Sequence, residues 1–88
     1  MKFVFTKHSL KDKLPELERF GWKITKTKVK SIVNKPRWRG VSKHGEETAM
    51  DLVDDKHILR VVFNRGDGII KVITLRIARR GKYESTLR

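Results

Sequence analysis

The segment HILRVVFNRGDGIIKVITLRI, residues 57–77, decides the fold. Two runs rich in Val and Ile flank RGDG, which carries Gly66 and Gly68, and the pattern predicts a β-hairpin. With RGDG as a four-residue connection, Asn64 pairs with Ile69, Leu59 with Thr74 and His57 with Arg76. One face then carries Leu59, Val61, Phe63, Ile70 and Val72, with Thr74 and Arg76 at its open end. The other face, more mixed, carries Arg60, Val62, Asn64, Ile69, Lys71, Ile73 and Leu75. Such a ribbon is too apolar to stand alone in water, so other elements must cover it.

Working outward, the cover lies upstream. Lys2–Thr6 (KFVFT) alternates as a short strand, with Phe3 and Phe5 on one face. Ser9 can cap a helix after it, and Leu10, Leu14 and Leu17 share a helical stripe. Pro15 interrupts it, having no N–H and clashing with the preceding turn. One loose turn and then a helix over about Pro15–Phe20 are expected, with Gly21 as the stop.

The second helix is better marked: Thr25 is its cap, Ile24 and Val29 form a hydrophobic staple, and Val29, Ile32 and Val33 make the buried stripe. Asn34, before Lys35-Pro36, ends it. Trp38–Ser42 and Thr48–Val53 bracket the turn HGEE as two strands, and Asp54-Asp55 turns into the hairpin. The expected class is α+β, two N-terminal helices packed on one face of a mainly antiparallel four- to five-stranded sheet. Residues 1–77 form the domain and residues 78–88 a basic tail, disordered or a short terminal helix. Spacing alone does not order the strands.

A chain of 88 residues is a single domain burying only ~60–65% of its unfolded surface. It has no cysteine, which removes disulfides, thiolate ligands and Cys nucleophiles together. No apolar run approaches the ~20 residues of a membrane span, and the first residues lack the long apolar region of a signal peptide, so a cytoplasmic protein, or a piece of something larger, is expected. The net charge is +12. Residues 1–40 hold 12 basic and 3 acidic side chains, net +9, against 10 and 7, net +3, for residues 41–88. That asymmetry favours a polyanionic partner, most often nucleic acid; a merely solubilising surface is the plainer alternative.

Metal-free RNA cleavage needs a group to take the 2′-OH proton, a proton for the leaving 5′-oxygen, and fixed donors around the phosphate. His8 is the natural titrating group, since histidine ordinarily titrates near 6.5. Arg60 and Arg76 offer planar forks that match a phosphate, and Thr74 offers a hydroxyl donor. The bland roles are a helix cap for His8, β-propensity for Thr74 and rim charge for the arginines. The expected register puts Arg60 and Arg76 on opposite faces, so both serve one phosphate only if a bulge or a sheet end intervenes.

For binding, Lys26, Lys28 and Lys30 crowd the first turns of the second helix, where cations oppose the helix dipole; they are either used for charge or simply solvated. Trp38 between Arg37 and Arg39 suits base stacking beside phosphate pairing, whereas Trp22 beside Ile24 is better placed as a core anchor. His8, His44 and His57 show no metal-ligand spacing, and GDG is too short for a nucleotide loop, so neither metal nor cofactor is expected.

FTKHS (5–9), ERFGWKIT (18–25), VKSIVNKP (29–36), HILRVVF (57–63) and VITLR (72–76) together resemble a small domain family related to RelE-like toxins, over roughly residues 3–76. An aromatic-x-x-His start, a helix ending near Asn-Pro (here Asn34-Lys35-Pro36) and the two closing strands carry the likeness. The chain departs from the family in the extra residues with Pro15, and Arg19 is the nearest match to its helix-one arginine. The resemblance implies a RelE-like fold, shared with barnase and colicin-type ribonucleases. It also implies a metal-independent endoribonuclease of toxin type acting on free or ribosome-bound RNA, and a small acidic antitoxin as partner. An arginine of the penultimate strand and a tyrosine near the C-terminus take part in such toxins; Arg60 and Tyr83 are the matching positions. The alternative is a non-catalytic RNA- or DNA-binding module on the same fold.

Overall fold

A computed structural model describes residues 2–81. In chain order it contains β1 (Lys2–Phe5), a π-helical stretch (His8–Lys13) running into α1 (Leu14–Arg19), α2 (Lys26–Asn34), β2 (Trp38–Val41), β3 (Glu47–Leu52), β4 (His57–Gly66) and β5 (Ile69–Arg79). The class is α+β. The five strands form one mixed sheet in the order β1-β5-β4-β3-β2, antiparallel except where β1 runs parallel to β5. The last four strands are thus a meander, and β1 closes it by a long crossover.

The central hairpin forms with a tighter turn than expected. Gly66 pairs with Ile69, so only Asp67 and Gly68 connect the strands, with φ of 52° and 73°. Positive φ at both central positions is the type I′ turn, whose twist matches the flanking strands, and Asp-Gly is among its preferred pairs. Asn64 consequently faces Lys71, not Ile69. The ribbon departs from expectation a second time farther along. Phe63 pairs with Val72 but Val62 pairs with Thr74, leaving Ile73 as the extra residue of a bulge. Beyond it Leu59 meets Ile77, His57 meets Arg79 and Arg60 meets Arg76. One inserted residue reverses the facing of everything after it, because side chains alternate with period two. Leu75 therefore joins Leu59, Val61, Phe63, Ile70 and Val72 in the core, while Thr74 and Arg76 turn to the opposite face.

The bulge is held from the other end of the chain. The Val72 carbonyl accepts the Thr6 N–H (3.0 Å), and Thr6 Oγ1 donates to the Ile73 carbonyl (3.0 Å). Ser9, wholly buried, donates from Oγ to the Thr6 carbonyl (2.9 Å) and lies 3.3 Å from the Val72 carbonyl. Thr6 Oγ1 also accepts the Ser9 N–H (3.2 Å), so Thr6, rather than Ser9, caps this helix. The loose turn expected before Pro15 is the π-helical stretch, whose wider ring ends at Leu14 N–H bonding the Ser9 carbonyl. Pro15 then sits in the first turn of α1, where a missing N–H is tolerated.

In α2, Thr25 Oγ1 accepts the Lys28 N–H at 3.1 Å, and Val29, Ile32 and Val33 are buried, as the stripe predicts. These three and Leu17 pack with sheet residues from Ala49 to Leu75 in one core, with Trp22 and Ile24 at its margin. Ala78 and Arg79, expected in the tail, still belong to β5, because the bulge and tight turn lengthen the ribbon. Among the described residues no helix is long and apolar enough to cross a membrane.

Candidate functional site

Strand pairing aligns one row of side chains across four strands. Trp38 pairs with Met50, Met50 with Arg60, and Arg60 with Arg76. All four point away from the face that carries the core. Three inter-strand spacings separate Trp38 from Arg76, roughly 14 Å. Met50 is buried, as are Ile58 and Val62 on the same face. The accessible members of the row are Trp38 and Arg60, both half-buried, and Arg76, which is exposed. The guanidinium carbon of Arg37 lies 5.2 Å from the centre of the Trp38 ring, leaving cation and aromatic together at one end of the row.

The other end is electrostatically unsettled. Arg60 and Arg76 stand directly opposite each other, and like charges in that relation destabilise a sheet. Arg60 Nε is buried with no hydrogen-bond partner. Among the described residues no carboxylate pairs with either arginine. Thr74, half-buried and opposite Val62, lies on the same face two residues from Arg76. A doubly charged oxyanion would satisfy both forks at once. The bulge expected only as a condition for bringing Arg60 and Arg76 together is present, and it does so.

His8 follows β1, whose parallel pairing with β5 ends at Phe5 opposite Val72, four residues before Arg76 on β5. Its exposed ring places Nδ1 3.3 Å from Asp12 Oδ2, one helical turn away. Tyr83 lies outside the described residues. The lysines of α2 divide: Lys26 Nζ sits 5.6 Å from the centre of the Phe5 ring and Lys30 Nζ 5.7 Å from that of Phe3, while Lys28 is simply exposed. Arg39 is exposed on β2, but its pairing with Ala49 turns it to the core-bearing face, away from Arg37 and Trp38.

A second constellation carries residues for which the sequence predicted no chemistry. His57 opens β4 with Nδ1 3.0 Å from Asp54 Oδ1 and 3.1 Å from Oδ2. Its ring meets that of Trp22 edge-on, centroids 4.6 Å apart at 63°. The Lys56 N–H donates to Asp54 Oδ1 at 2.7 Å and holds the Asp54 carboxyl below its ordinary range, with His57 adding to the effect. His57 and Trp22 line an open cleft of about 520 Å³ between α1 and the far half of β5, together with Lys13, Glu16, Phe20 and Arg76. Phe20 is 73% exposed there, which no packing role explains. The available signal was the D-x-x-H spacing at a strand entry, which sets a carboxylate beside an imidazole. Among the described residues no three of His, Cys, Asp and Glu gather as a metal set.

The chain matches no protein-family model, no curated protein and no solved structure.

Proposed function

We propose that the protein acts on RNA as a metal-independent endoribonuclease of the RelE-like kind. The supporting observation is the Arg60–Arg76 cross-strand pair that the Ile73 bulge creates, with no carboxylate paired to either arginine among the described residues. Like charges brought together and left without a counter-ion are a cost to folding, and a phosphodiester passing between them removes it. In the cleavage step the 2′-oxygen attacks the adjacent phosphorus as its proton is taken, and the P–O5′ bond breaks as the 5′-oxygen gains one. Arg60 and Arg76 hold the charge that gathers on the phosphate, and Thr74 donates a further hydrogen bond. His8, as the natural titrating group, is the candidate for proton transfer, and Tyr83 is the tyrosine that the RelE-like resemblance implies. The high positive charge also suits a small acidic protein as inhibitor.

The test is cleavage of an end-labelled oligoribonucleotide in EDTA. A 2′,3′-cyclic phosphate product, lost in Arg76→Ala, is the expected result. His8→Ala should lower the rate by roughly 10²–10⁴-fold with RNA binding kept. Dependence on magnesium, or full activity in Arg76→Ala, overturns the proposal. A wild-type protein inert towards naked RNA is assayed next on translating ribosomes.

The second reading is an RNA-binding module without catalysis, favoured by the alignment of Trp38 with Arg60 and Arg76. A base stacked on Trp38 leaves its backbone to run towards the arginines, the arrangement single strands adopt on sheet surfaces. Tight, salt-sensitive binding with no cleavage on any substrate selects it.

A further inference from the structure

We infer that His57, held by Asp54, is a proton-transferring residue in a nucleotide-sized cleft, an assignment that rests on the RNA-cleaving reading above and extends it to a residue outside it. Four observations converge. First, the carboxylate of Asp54 lies on Nδ1 of His57 at 3.0 and 3.1 Å. That contact places the ring proton on Nδ1 and leaves the Nε2 lone pair to accept another, the arrangement by which a carboxylate fixes the tautomer of a general base. Second, the Trp22 ring fixes the imidazole plane from the side. His8 has only a longer form of the first, with Asp12 Oδ2 3.3 Å from its Nδ1 and both side chains more exposed, and no ring beside it among the described residues.

Third, Arg79, the cross-strand partner of His57, shares its face of the sheet, while Arg76 borders the same cleft at the free edge of β5 with its register turned to the opposite face. A phosphate in the cleft therefore meets Arg79 on the side that His57 borders. The charges around His57 allow this. Lys13 Nζ pairs with Glu16 Oε2 at 3.3 Å, and Asp54 is engaged by His57 and the Lys56 amide. Arg79, opposite His57 on β5, is thus the arginine on the cleft's side of the sheet. Fourth, the exposed Phe20 ring at the cleft offers a face for a base, and the volume of about 520 Å³ falls within the range of small-ligand sites.

In the reaction, Nε2 of His57 takes the proton of the ribose 2′-OH while the 2′-oxygen bonds to phosphorus. The P–O5′ bond breaks, and the 5′-oxygen takes its proton from water or a second acid. The products are a 2′,3′-cyclic phosphate and a 5′-hydroxyl, with His57 left protonated and returning its proton to solvent.

The experiment is the pH dependence of cleavage of an end-labelled oligoribonucleotide by the full chain, in EDTA. His57→Gln should lower kcat by roughly 10²–10⁴-fold with KM nearly unchanged, and should flatten the acidic limb of the kcat–pH profile. Asp54→Asn should displace that limb, which a purely structural turn contact would not do. Cleavage that survives His57→Gln overturns this inference alone and leaves the RNA-cleaving proposal standing. Absence of cleavage by the unaltered protein on every RNA overturns both. Should His57→Gln fail to fold, the wild type answers directly. Addition of 3′-AMP should move the His57 ring and Trp22 indole NMR resonances, and no movement at millimolar 3′-AMP overturns the placement.

Discussion

Replacing Arg60 by Met should make this protein more stable and less able to use an anion. Arg60 is half-buried, its Nε has no hydrogen-bond partner, and Arg76 faces it directly across the sheet. An orphaned buried polar group costs about 1–3 kcal/mol, and a like-charge cross-strand pair adds about 0.2–1 kcal/mol. Methionine keeps an unbranched, flexible stem among Met50, Ile58 and Val62 and removes both penalties. Stabilisation of about 1 kcal/mol or more is expected, which in a domain of this size raises Tm by at least about 4 °C. The second half of the effect appears on adding phosphate. At ten times its Kd, an anion bound only by the native state stabilises by about 1.4 kcal/mol. Wild type should gain that increment and Arg60→Met should not. The assay is thermal unfolding followed by circular dichroism at low ionic strength, with and without phosphate, and with chloride at matched ionic strength as control. A lower Tm for Arg60→Met, or equal protection of both proteins by phosphate, would refute the reasoning. The arginine would then be a packing element.

Ser9→Ala removes the hydroxyl that bonds the Thr6 carbonyl beside the bulge; it should destabilise by about 1 kcal/mol, a fall of roughly 4–8 °C in Tm, measured by the same melts. Asp54 has its carboxyl lowered from 3.8, first by the Lys56 N–H and then by His57, so its contribution is present above that value and lost as pH falls through the native one. Melts from neutral to strongly acidic pH should show wild type and Asp54→Asn converging in the acid range; curves that stay parallel there would remove Asp54 from the acid response. Changing Lys26, Lys28 and Lys30 together to Glu should weaken RNA binding and reduce the salt slope by roughly 0.7–0.9 for each phosphate no longer neutralised. An unchanged slope would leave Lys26 and Lys30 as partners of Phe5 and Phe3 only.

Periodicity exposed the strands and α2 because burial imposes it: Val29, Ile32 and Val33 recur at helical spacing, and the hairpin residues recur at spacing two. The cap at Thr25 and the end at Asn34 were legible because their chemistry is local. The register was not, since it turned on two choices. Asp67-Gly68 had to be taken as the whole loop, and Ile73 had to be set aside from the ladder. Nothing within VITLR marks Ile73 as a bulge; its carbonyl is answered by Thr6, 67 positions away in the chain. Arg60, Arg76 and Thr74 were thus identifiable by type but not by facing. His57 was passed over because the D-x-x-H spacing of Asp54 and His57 gains meaning only when the turn folds the carboxylate onto the ring.

The β1–β5 pairing also sets an order of events in folding. The meander from β2 to β5 closes through short loops and can zip locally, whereas Lys2–Phe5 must find Ile69–Val72 across nearly the whole sequence. Closing so long a loop carries a larger entropic barrier and slows the step that depends on it. The hydroxyls that secure the bulge belong to Thr6 and Ser9, at the early side of that closure. During synthesis, the two arginines cannot be locked face to face until β5 has left the ribosome and the first strand has docked beside it. A nascent chain therefore carries its charges dispersed, and the two arginines come together only with the finished sheet.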